Sequence, residues 1–314
     1  MDSLSILVSG GAGFIGSHVV DALVDAGHHV VIVDNMATGR RENVHPRATL
    51  HVVDIRDPEL GRVVDAVRPD VVVHAAAQIS VSRSVADPMT DASVNIVGTI
   101  ALLEHCRRAV RRVVYISTGG AAYGDTDVIP TPESHPPRPA SPYGISKVSA
   151  ERYVELWRSL NDRESVILRL ANVYGPRQNA EGEAGVVAIF TERARDGQTC
   201  IVNGDGDQTR DFVFVGDVAK AVHRAVEQPN VEGTLNIGTG RETSVNQIVT
   251  ELRAVVGNEL KVAYGAAKPG EQRRSVLDSR LAQARLGWKA STALAEGLEL
   301  TVRGLARGRQ ARPM

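Results

Sequence analysis

The stretch that most constrains the fold is a glycine-rich turn near the start of the chain, LVSGGAGFIGSH. Four glycines fall between Gly10 and Gly16, directly after the apolar run Ile6-Leu7-Val8. The residues that follow, SHVVDALVDAGH, repeat apolar side chains at helical spacing. The segment therefore predicts a buried strand, a tight turn and a helix in immediate succession.

A glycine turn between a strand and a helix suits a bound phosphate group. Gly10, Gly13 and Gly16 allow backbone N–H groups to approach a pyrophosphate at the helix N-terminus. The next strand, HVVIVD, ends at Asp34, where an acid hydrogen-bonds the adenosine ribose of a dinucleotide. Because this carboxylate would repel a 2′-phosphate, NAD is favoured over NADP. Arg40 and Arg41 are close enough in sequence to leave NADP open.

The first half of the chain alternates strand and helix patterns. Helical periodicity covers Phe14–Ala26, Ala92–Arg107 and Tyr143–Leu160. The β-branched apolar segments that read as buried strands are SILVS, HVVIVD, LHVVD, DVVVHAA, RVVYIS and SVILRL. This alternation predicts an α/β fold with a doubly wound parallel sheet covered by helices on both faces.

After Asn172 the pattern changes to loops, a helix at Val186–Asp196 and short strands. We predict a nucleotide-binding domain over residues 1–171, with returns at about 212–250 and 280–314. A smaller C-terminal α/β lobe for the substrate is predicted over residues 172–211 and 251–279. The segments VFVGDVAKAVHRAVEQ and TLNIGTG are predicted to return to the main sheet.

Composition limits the classes of function and partner. The net charge of −1 gives no electrostatic footprint for nucleic acid or an anionic membrane. No run approaches the ~18 apolar residues of a membrane span, and the first strand leaves no room for a signal peptide. Cys106 and Cys200 lack the spacing of a disulfide framework or a zinc site, so no metal is predicted. These features predict a cytoplasmic protein.

A second motif, SPYGISKVSAE, carries the reactive groups. Tyr143 and Lys147 are four residues apart and therefore share one helix face. A tyrosine of pKa ~10 is a poor base near neutrality, but an adjacent ammonium and a cationic nicotinamide favour the phenolate. The pair predicts that Tyr143 is a catalytic base and that Lys147 lowers its pKa.

The chain resembles the extended short-chain dehydrogenase/reductases, in particular their nucleotide-sugar epimerase branch, along nearly its whole length. This resemblance implies a Rossmann fold, NAD as cofactor and a UDP-sugar as substrate. The motifs that carry it are GGAGFIGSH, VDN, DIRD, HAAAQ, NIVGT, YISTGGAAYG, SPYGISK, LANVYGPRQ, GDGDQTRDFVFVGD and NIGTG.

The resemblance also assigns the cofactor residues. Phe14 and Ile15 join the glycines at the pyrophosphate, and Asn35 joins Asp34 at the adenosine ribose. The remaining predicted positions are Asp54 and Ile55 beside the adenine, Ala75, Ala76 and Gln78 along the cofactor groove, Asn95 supporting the site, and Lys147 on the nicotinamide ribose.

The substrate residues are implied in the same way. Asn172 matches a residue that contacts the sugar diphosphate, and Arg210 matches a phosphate clamp. In KPGEQRRS, Glu271 takes the place of the acid that binds the uridine ribose, and Lys268 stands where many relatives have Arg. Val186, Arg177 and Ser275 are further substrate positions. Arg177 could meet a C6 carboxylate. Ser275 matches a position that is small in relatives accepting N-acetylated sugars.

One departure from the family concerns the catalytic hydroxyl. The family has a Ser or Thr four residues before the tyrosine of its Y-G motif, and counting back from Tyr123 gives Gly119. Ser117 and Thr118 lie one or two places earlier, and the sequence leaves both open as the hydroxyl that reaches the sugar O4.

The function predicted from these residues is NAD-dependent 4-epimerisation of a UDP-hexose, with UDP-glucose and UDP-galactose favoured. UDP-N-acetylglucosamine and UDP-glucuronate stay open, as does decarboxylation of a UDP-uronate. Dehydration is disfavoured because Gly119-Gly120 stand where dehydratases have an Asp-Glu pair. A non-catalytic NAD-sensing module is the alternative from another class. The family resemblance, with apolar faces on Ala92–Arg107 and Tyr143–Leu160, predicts a homodimer built on a four-helix bundle.

Overall fold

The sequence folds around one large parallel sheet in this computed structural model, which describes residues 3–180, 185–257, 260–267, 270 and 272–310. The sheet has seven strands in the order β11-β6-β5-β4-β1-β2-β3, and every neighbouring pair is parallel. Its strands are β1 (Ser5–Ser9), β2 (His29–Asp34), β3 (Thr49–Val52), β4 (Val71–His74), β5 (Arg112–Thr118), β6 (Glu164–Leu170) and β11 (Gly233–Ile237).

Helices cover both faces of this sheet, as the alternating pattern requires. The α-helices are α1 (Phe14–Asp25), α2 (Glu59–Val67), α3 (Val81–Ala86), α4 (Pro88–Ala92), α5 (Gly98–Cys106), α6 (Gly120–Tyr123), α7 (Pro142–Asn161), α8 (Val186–Arg195), α9 (Val215–Glu227), α10 (Val245–Val256), α11 (Arg280–Leu286) and α12 (Leu294–Gln310). One apolar core joins the sheet to α1, α9 and α11, and a second joins its other face to α2, α5 and α7. The predicted Rossmann fold is confirmed. Within the described residues, no helix has both the length and the apolar composition needed to cross a bilayer.

The predicted helix Ala92–Arg107 is more complex than its periodicity indicates. It begins earlier, as α4, and passes through a π-helical turn at Ser93–Val97 before continuing as α5. Turns of this kind add a residue to the helix and are frequent at functional sites. The turn carries the buried Asn95.

The remaining strands form three small sheets outside the main one. They are β7 (Asn172–Tyr174) with β10 (Phe212–Phe214), β8 (Cys200–Asn203) with β13 (Val262–Gly265), and β9 (Thr209–Arg210) with β12 (Thr243–Ser244) and β14 (Arg274–Ser275). The helices α8, α10 and α12 pack together beside them around a separate apolar core.

The prediction that VFVGDV returns to the main sheet is wrong for its strand. β10 pairs with β7 alone, because the place beside β6 is taken by β11, whose Leu235 pairs with Leu168. Only the following helix α9 packs on the main sheet. The predicted boundary at residue 250 falls inside α10, and α12 packs against α10, so the division into two domains stays a proposal.

Arg112, at the start of β5, hydrogen-bonds the segment that leads into the edge strand β11. This guanidinium is fully buried and donates to the carbonyl oxygens of Ala225, Pro229 and Val231 at 2.7–2.8 Å. It also pairs with Glu164 at 3.1 Å. Ala225 lies near the end of α9, and Pro229 and Val231 lie between α9 and β11, all far along the chain from Arg112.

Candidate functional site

A cleft of about 450 Å³ opens where the strands β1, β4, β5 and β6 end. Ligands of open α/β sheets bind at this edge, beyond the carboxyl ends of the strands. Residues of the smaller sheets close the other side of the cleft. The predicted residues that line it are Phe14, Ile15, Ala75, Ser117, Thr118, Tyr143, Lys147, Asn172, Val186 and Arg210.

The glycine turn is packed too closely for any larger residue. Gly10 has a φ of +72°, and a Cβ on it would lie 2.7 Å from the backbone nitrogen of Ala76. A Cβ on Gly16 would lie 2.0 Å from the carbonyl oxygen of Gly10. Gly13 begins α1 without a side-chain cap, and the first turn holds no acidic residue. The turn therefore offers backbone N–H groups and a positive helix end to an anion, which fits a pyrophosphate.

Asp34 ends β2 with its carboxylate fixed by the backbone. Its Oδ2 accepts from the N–H of Ala12 at 3.0 Å, and its Oδ1 accepts from the N–H of Met36 at 2.9 Å. Each carboxylate oxygen keeps a second lone pair for a ribose hydroxyl. Nη2 of Arg40 donates to Oδ1 of Asn179 at 3.4 Å.

Asp54, predicted beside the adenine, forms a small polar group with Asn35, the residue after Asp34, and with Arg56. Asn35 donates to Oδ2 of Asp54 at 2.8 Å, and Nε and Nη2 of Arg56 each donate to one oxygen of the same carboxylate. The hydrogen bonds from Arg56 hold the pKa of Asp54 well below its usual range. Ile55 is buried and packs in the core on the α2 side of the sheet.

Ala76, Gln78 and Asn95 are joined by a buried network behind the cleft. Asn95 accepts from the N–H of Gln78 at 2.8 Å and donates to the Gln78 carbonyl at 2.9 Å. Both side-chain amides also donate to Oδ1 of Asp91, at 2.8 Å from Gln78 and 3.0 Å from Asn95. The N–H of Ala76 donates to Ser9 at 3.3 Å. The sequence reasoning missed Asp91, whose signal is an acid four residues before Asn95.

Tyr143 begins the long helix α7, with Ser141 as its cap and Pro142 in its first turn. Its hydroxyl lies near that of Thr118, at the end of β5. Burial raises the pKa of Tyr143 to about 12, against the lowering effect of the Thr118 hydroxyl. This direction is opposite to the one predicted from an adjacent ammonium.

Burial is the first cause, and Lys147 is not among the groups that lower the pKa of Tyr143. Its Nζ donates to the carbonyl oxygen of Ile116 at 2.8 Å and lies 4.3 Å from the ring centre of Tyr115. Burial lowers the pKa of Lys147 to about 7, while the carboxylates of Glu151 and Asp91 act in the other direction. The surroundings of Lys147 in the fold therefore bring its pKa close to neutral pH.

The two hydroxyls that the sequence left open are separated by the structure. Thr118 meets Tyr143, whereas Ser117 donates to Oε1 of Glu151 at 2.5 Å. Because its hydroxyl is held by a buried carboxylate, Ser117 does not fit the predicted place at the sugar O4. The geometry favours Thr118 for that place.

Three of the seven predicted substrate residues lie on the opposite wall. Asn172, Val186 and Arg210 line the cleft, and Nη1 of Arg210 donates to the carbonyl of Thr209 at 2.8 Å. Ser275 pairs with Arg210 across β14 and β9, and a Cβ on Gly120 would lie 3.2 Å from its Oγ. The predicted residues Lys268 and Glu271 lie outside the described residues.

Arg177 is the clearest departure from the prediction. Its guanidinium pairs with Asp21 at 2.7 Å and donates to Ser17 at 3.2 Å, both on α1. It adopts a φ of +68°, and the next residue back, Pro176, accepts from His18 through its carbonyl. The side chain therefore fastens its loop to α1 and is not among the residues that line the cleft.

The sequence reasoning also missed polar groups of the cleft wall. Gln208 and Gln178 line it, and each has a buried Oε1 without a hydrogen-bond partner among the described residues. Gln208 donates to the carbonyl of Asn203 at 3.1 Å. The only signal for Gln208 is its place in GDGDQTRD, two residues before Arg210.

Comparisons with known proteins agree with this geometry. Residues 6–238 match the model of the NAD dependent epimerase/dehydratase family. The UDP-glucose 4-epimerase of Mycolicibacterium smegmatis is 45% identical, over 94% of this chain and 96% of that protein. The crystal structure of UDP-glucose 4-epimerase with UDP-glucose from Thermotoga maritima superposes with a TM-score of 0.93, at 45% identity, covering 97% of this chain and 99% of that one. That of the Thermus thermophilus enzyme in complex with NAD has a TM-score of 0.90, at 42% identity, covering 98% and 99%.

Proposed function

Since the chain belongs to the NAD dependent epimerase/dehydratase family, we propose that it catalyses the NAD-dependent 4-epimerisation of a UDP-hexose. One observation carries the proposal. Tyr143 and Thr118 line the same cleft as Phe14 and Ile15 of the glycine turn. A proton acceptor and a dinucleotide turn on one wall suit the oxidation of a sugar hydroxyl.

In this reaction Tyr143, as the phenolate that a cationic nicotinamide would favour, takes the proton of the C4 hydroxyl and later returns it. NAD, held by the glycine turn and Asp34, would supply the hydride acceptor and donor for C4. Thr118, beside the phenol of Tyr143, is placed to contact the sugar O4. Between the two transfers the sugar turns about its diphosphate, so the diphosphate must be anchored while the hexose is held loosely.

The cofactor residues follow from the same reading. Gly10, Gly13 and Gly16 form the pyrophosphate cradle, and Asp34 binds the adenosine ribose. Two backbone hydrogen bonds fix its carboxylate at that position, where it would repel a 2′-phosphate and favour NAD over NADP. Arg210 and Asn172 are proposed to hold the substrate diphosphate, since a guanidinium fork matches phosphate oxygens.

A neutral hexose is the proposed substrate, with UDP-glucose and UDP-galactose first. This choice is supported by Arg177, the cation proposed to meet a C6 carboxylate, which is neutralised by Asp21 on α1. The Gly119-Gly120 turn lacks the acid pair of dehydratases. A UDP-uronate epimerase or decarboxylase is the second candidate.

The experiment that tests the function is NMR of the products formed from three substrates. We expect the purified protein to interconvert UDP-glucose and UDP-galactose without added reductant, and to turn over UDP-glucuronate more slowly. UDP-N-acetylglucosamine reports on the small Ser275. If none of the three sugars is inverted at C4, the proposal is wrong.

Arg177→Ala tests the choice between a neutral and an acidic hexose. Because Arg177 bonds α1 and not the cleft, we expect kcat/KM for UDP-glucose and UDP-glucuronate to fall by the same factor, about tenfold or less, with lower thermal stability. Arg241→Ala, at an exposed position, is the control. A loss of ~30-fold or more on UDP-glucuronate alone would show that Arg177 binds a carboxylate.

We also propose a homodimer through α5 and α7. The surface they share exposes apolar side chains, with Leu160 at 73% exposure and Leu156 at 50%. A groove between α5 and α7 is lined by Ile100, Leu103, Tyr153, Trp157 and Leu160. Such a patch on two adjacent helices suits a symmetric four-helix contact.

The dimer is tested by light scattering at micromolar concentration. Leu160→Glu should give a monomer, because burying an unpaired carboxylate in this contact is costly. Ile201→Glu, on an exposed apolar residue of β8, should leave the dimer intact. A wild-type protein that scatters as a monomer would refute the proposal.

The proposed compartment is the cytoplasm. Cys106 and Cys200 are both free and buried, as expected for a protein kept in a reducing environment. Burial raises the pKa of both thiols, so neither is poised to react.

A further inference from the structure

Glu151 is a buried carboxylate that the proposed reaction does not use. It lies on α7, one turn after Lys147 and two turns after Tyr143, so the three share one face of the helix. Its side chain is 1% exposed. Burying a carboxylate is costly unless charge and hydrogen bonds compensate it, so its surroundings indicate what it does.

Both oxygens of Glu151 are engaged by β5 and β6. Oε1 accepts from Ser117 at 2.5 Å and from Nε of Arg169 at 3.0 Å, and Oε2 accepts from Nη2 of Arg169 at 2.6 Å. Ser117 and Arg169 are direct partners across the two strands. The carboxylate thus fixes the end of β5, one residue before the Thr118 that lies beside Tyr143.

The charge of Glu151 also acts on Lys147. The groups that act on the ammonium or lie beside it are Asp91 from α4, Tyr115 from β5, His74 from β4 and Glu151 from α7 itself. Burial lowers the pKa of His74 to about 3, so this ring is neutral near pH 7. Glu151 is the largest of the influences that oppose the burial of Lys147, ahead of Asp91.

We propose that Glu151 is a positioning residue for the proposed epimerisation: its negative charge stabilises the ammonium form of Lys147, and its bond to Ser117 sets the strand that presents Thr118. The role of Thr118 in this proposal rests on the proposed function. The role of the Lys147 charge does not, because it concerns NAD binding even where no sugar is turned over. Lys147 without its proton cannot serve as a charged donor to the nicotinamide ribose.

The test is Glu151→Gln, which keeps the size of the side chain and removes its charge. Lys147 then loses its proton at lower pH, because an opposite charge nearby holds a pKa up by about one unit or more. We expect the alkaline fall in NADH affinity and in kcat/KM to move about one pH unit downward, a tenfold loss above neutrality that acidification reverses. Glu151→Asp keeps the charge and should retain the wild-type pH profile.

Two further variants separate charge from structure. Glu155→Gln removes an exposed carboxylate one turn further along α7 and should change nothing. Glu151→Gln leaves Arg169 without its anion and can fail to fold, so the double variant Glu151→Gln, Arg169→Met decides the question. The shift should persist in the double variant, and a return to the wild-type profile there would overturn the proposal.

The readouts distinguish this proposal from the proposed function. NADH binding, followed by nicotinamide fluorescence, requires no sugar turnover, so it tests the link between Glu151 and Lys147 even if UDP-glucose is not a substrate. A Glu151→Gln protein that binds NADH with the wild-type pH profile would refute the inference. A shifted NADH profile with no UDP-sugar turnover in the wild type would refute only the epimerase function.

Discussion

Tyr143→Phe should abolish nearly all turnover and leave the fold intact. The substitution removes only the phenol oxygen, which lies near the hydroxyl of Thr118 in the cleft. Loss of a positioned proton acceptor costs about 10²–10⁴ in rate. We therefore expect kcat for UDP-glucose to fall by about three orders of magnitude, with NADH affinity within a few-fold of wild type.

The matched control is Tyr153→Phe, the same chemical change on the same helix. Tyr153 is 42% exposed, on the face of α7 that turns away from the cleft, so its hydroxyl should be dispensable. Product formation by NMR, with circular dichroism as a check on folding, measures both variants. Turnover by Tyr143→Phe within a few-fold of wild type would rule out Tyr143 as the base.

Gly16→Ala should lose NAD binding almost completely. The new methyl group would lie 2.0 Å from the carbonyl oxygen of Gly10 and 3.0 Å from Cα of Gly11, and both obstacles are backbone. The turn must therefore move by about an ångström, which costs about 100-fold where groups must meet in a fixed geometry. We expect the Kd for NADH to rise by about that factor and turnover to fall with it.

Gly27→Ala is the control for this change. Gly27 follows α1, and a Cβ there meets nothing within 4 Å. Its φ of +91° makes alanine strained, so stability should fall while the affinity for NADH stays the same. If Gly16→Ala bound NADH as tightly as Gly27→Ala, the turn would not be the pyrophosphate cradle.

Local patterns predicted the cofactor side of the molecule well. The buried strands SILVS and HVVIVD and the helix after the glycine turn lie where their apolar periodicity indicates. Neighbouring parallel strands bring the turn and Asp34 to one edge automatically. These features are fixed by residues close together in sequence, so the sequence reveals them.

Contacts between distant segments escaped prediction. Arg177 meets Asp21 more than 150 residues away in the chain, and no local pattern announces that ion pair. Successive residues of a strand point to opposite sides, so Ser117 and Thr118 must diverge, but which one meets Tyr143 depends on the register of β5 and β6. The lowered pKa of Lys147 likewise follows from burial, against the opposing charges of Glu151 and Asp91, and burial is a property of the folded chain.

The strand order has a consequence for the protein while it is being synthesised. β6 ends at Leu170, but its partner β11 begins only at Gly233, so β6 remains an open edge on the ribosome until the intervening chain has emerged. Arg112 waits equally long for its carbonyl partners near Val231. A nascent chain that stops between β6 and β11 exposes an unpaired strand edge, and Arg112 then has Glu164 but none of its three carbonyl acceptors, a form prone to aggregate. The seven-stranded sheet can therefore be completed only after nearly three quarters of the chain has been translated.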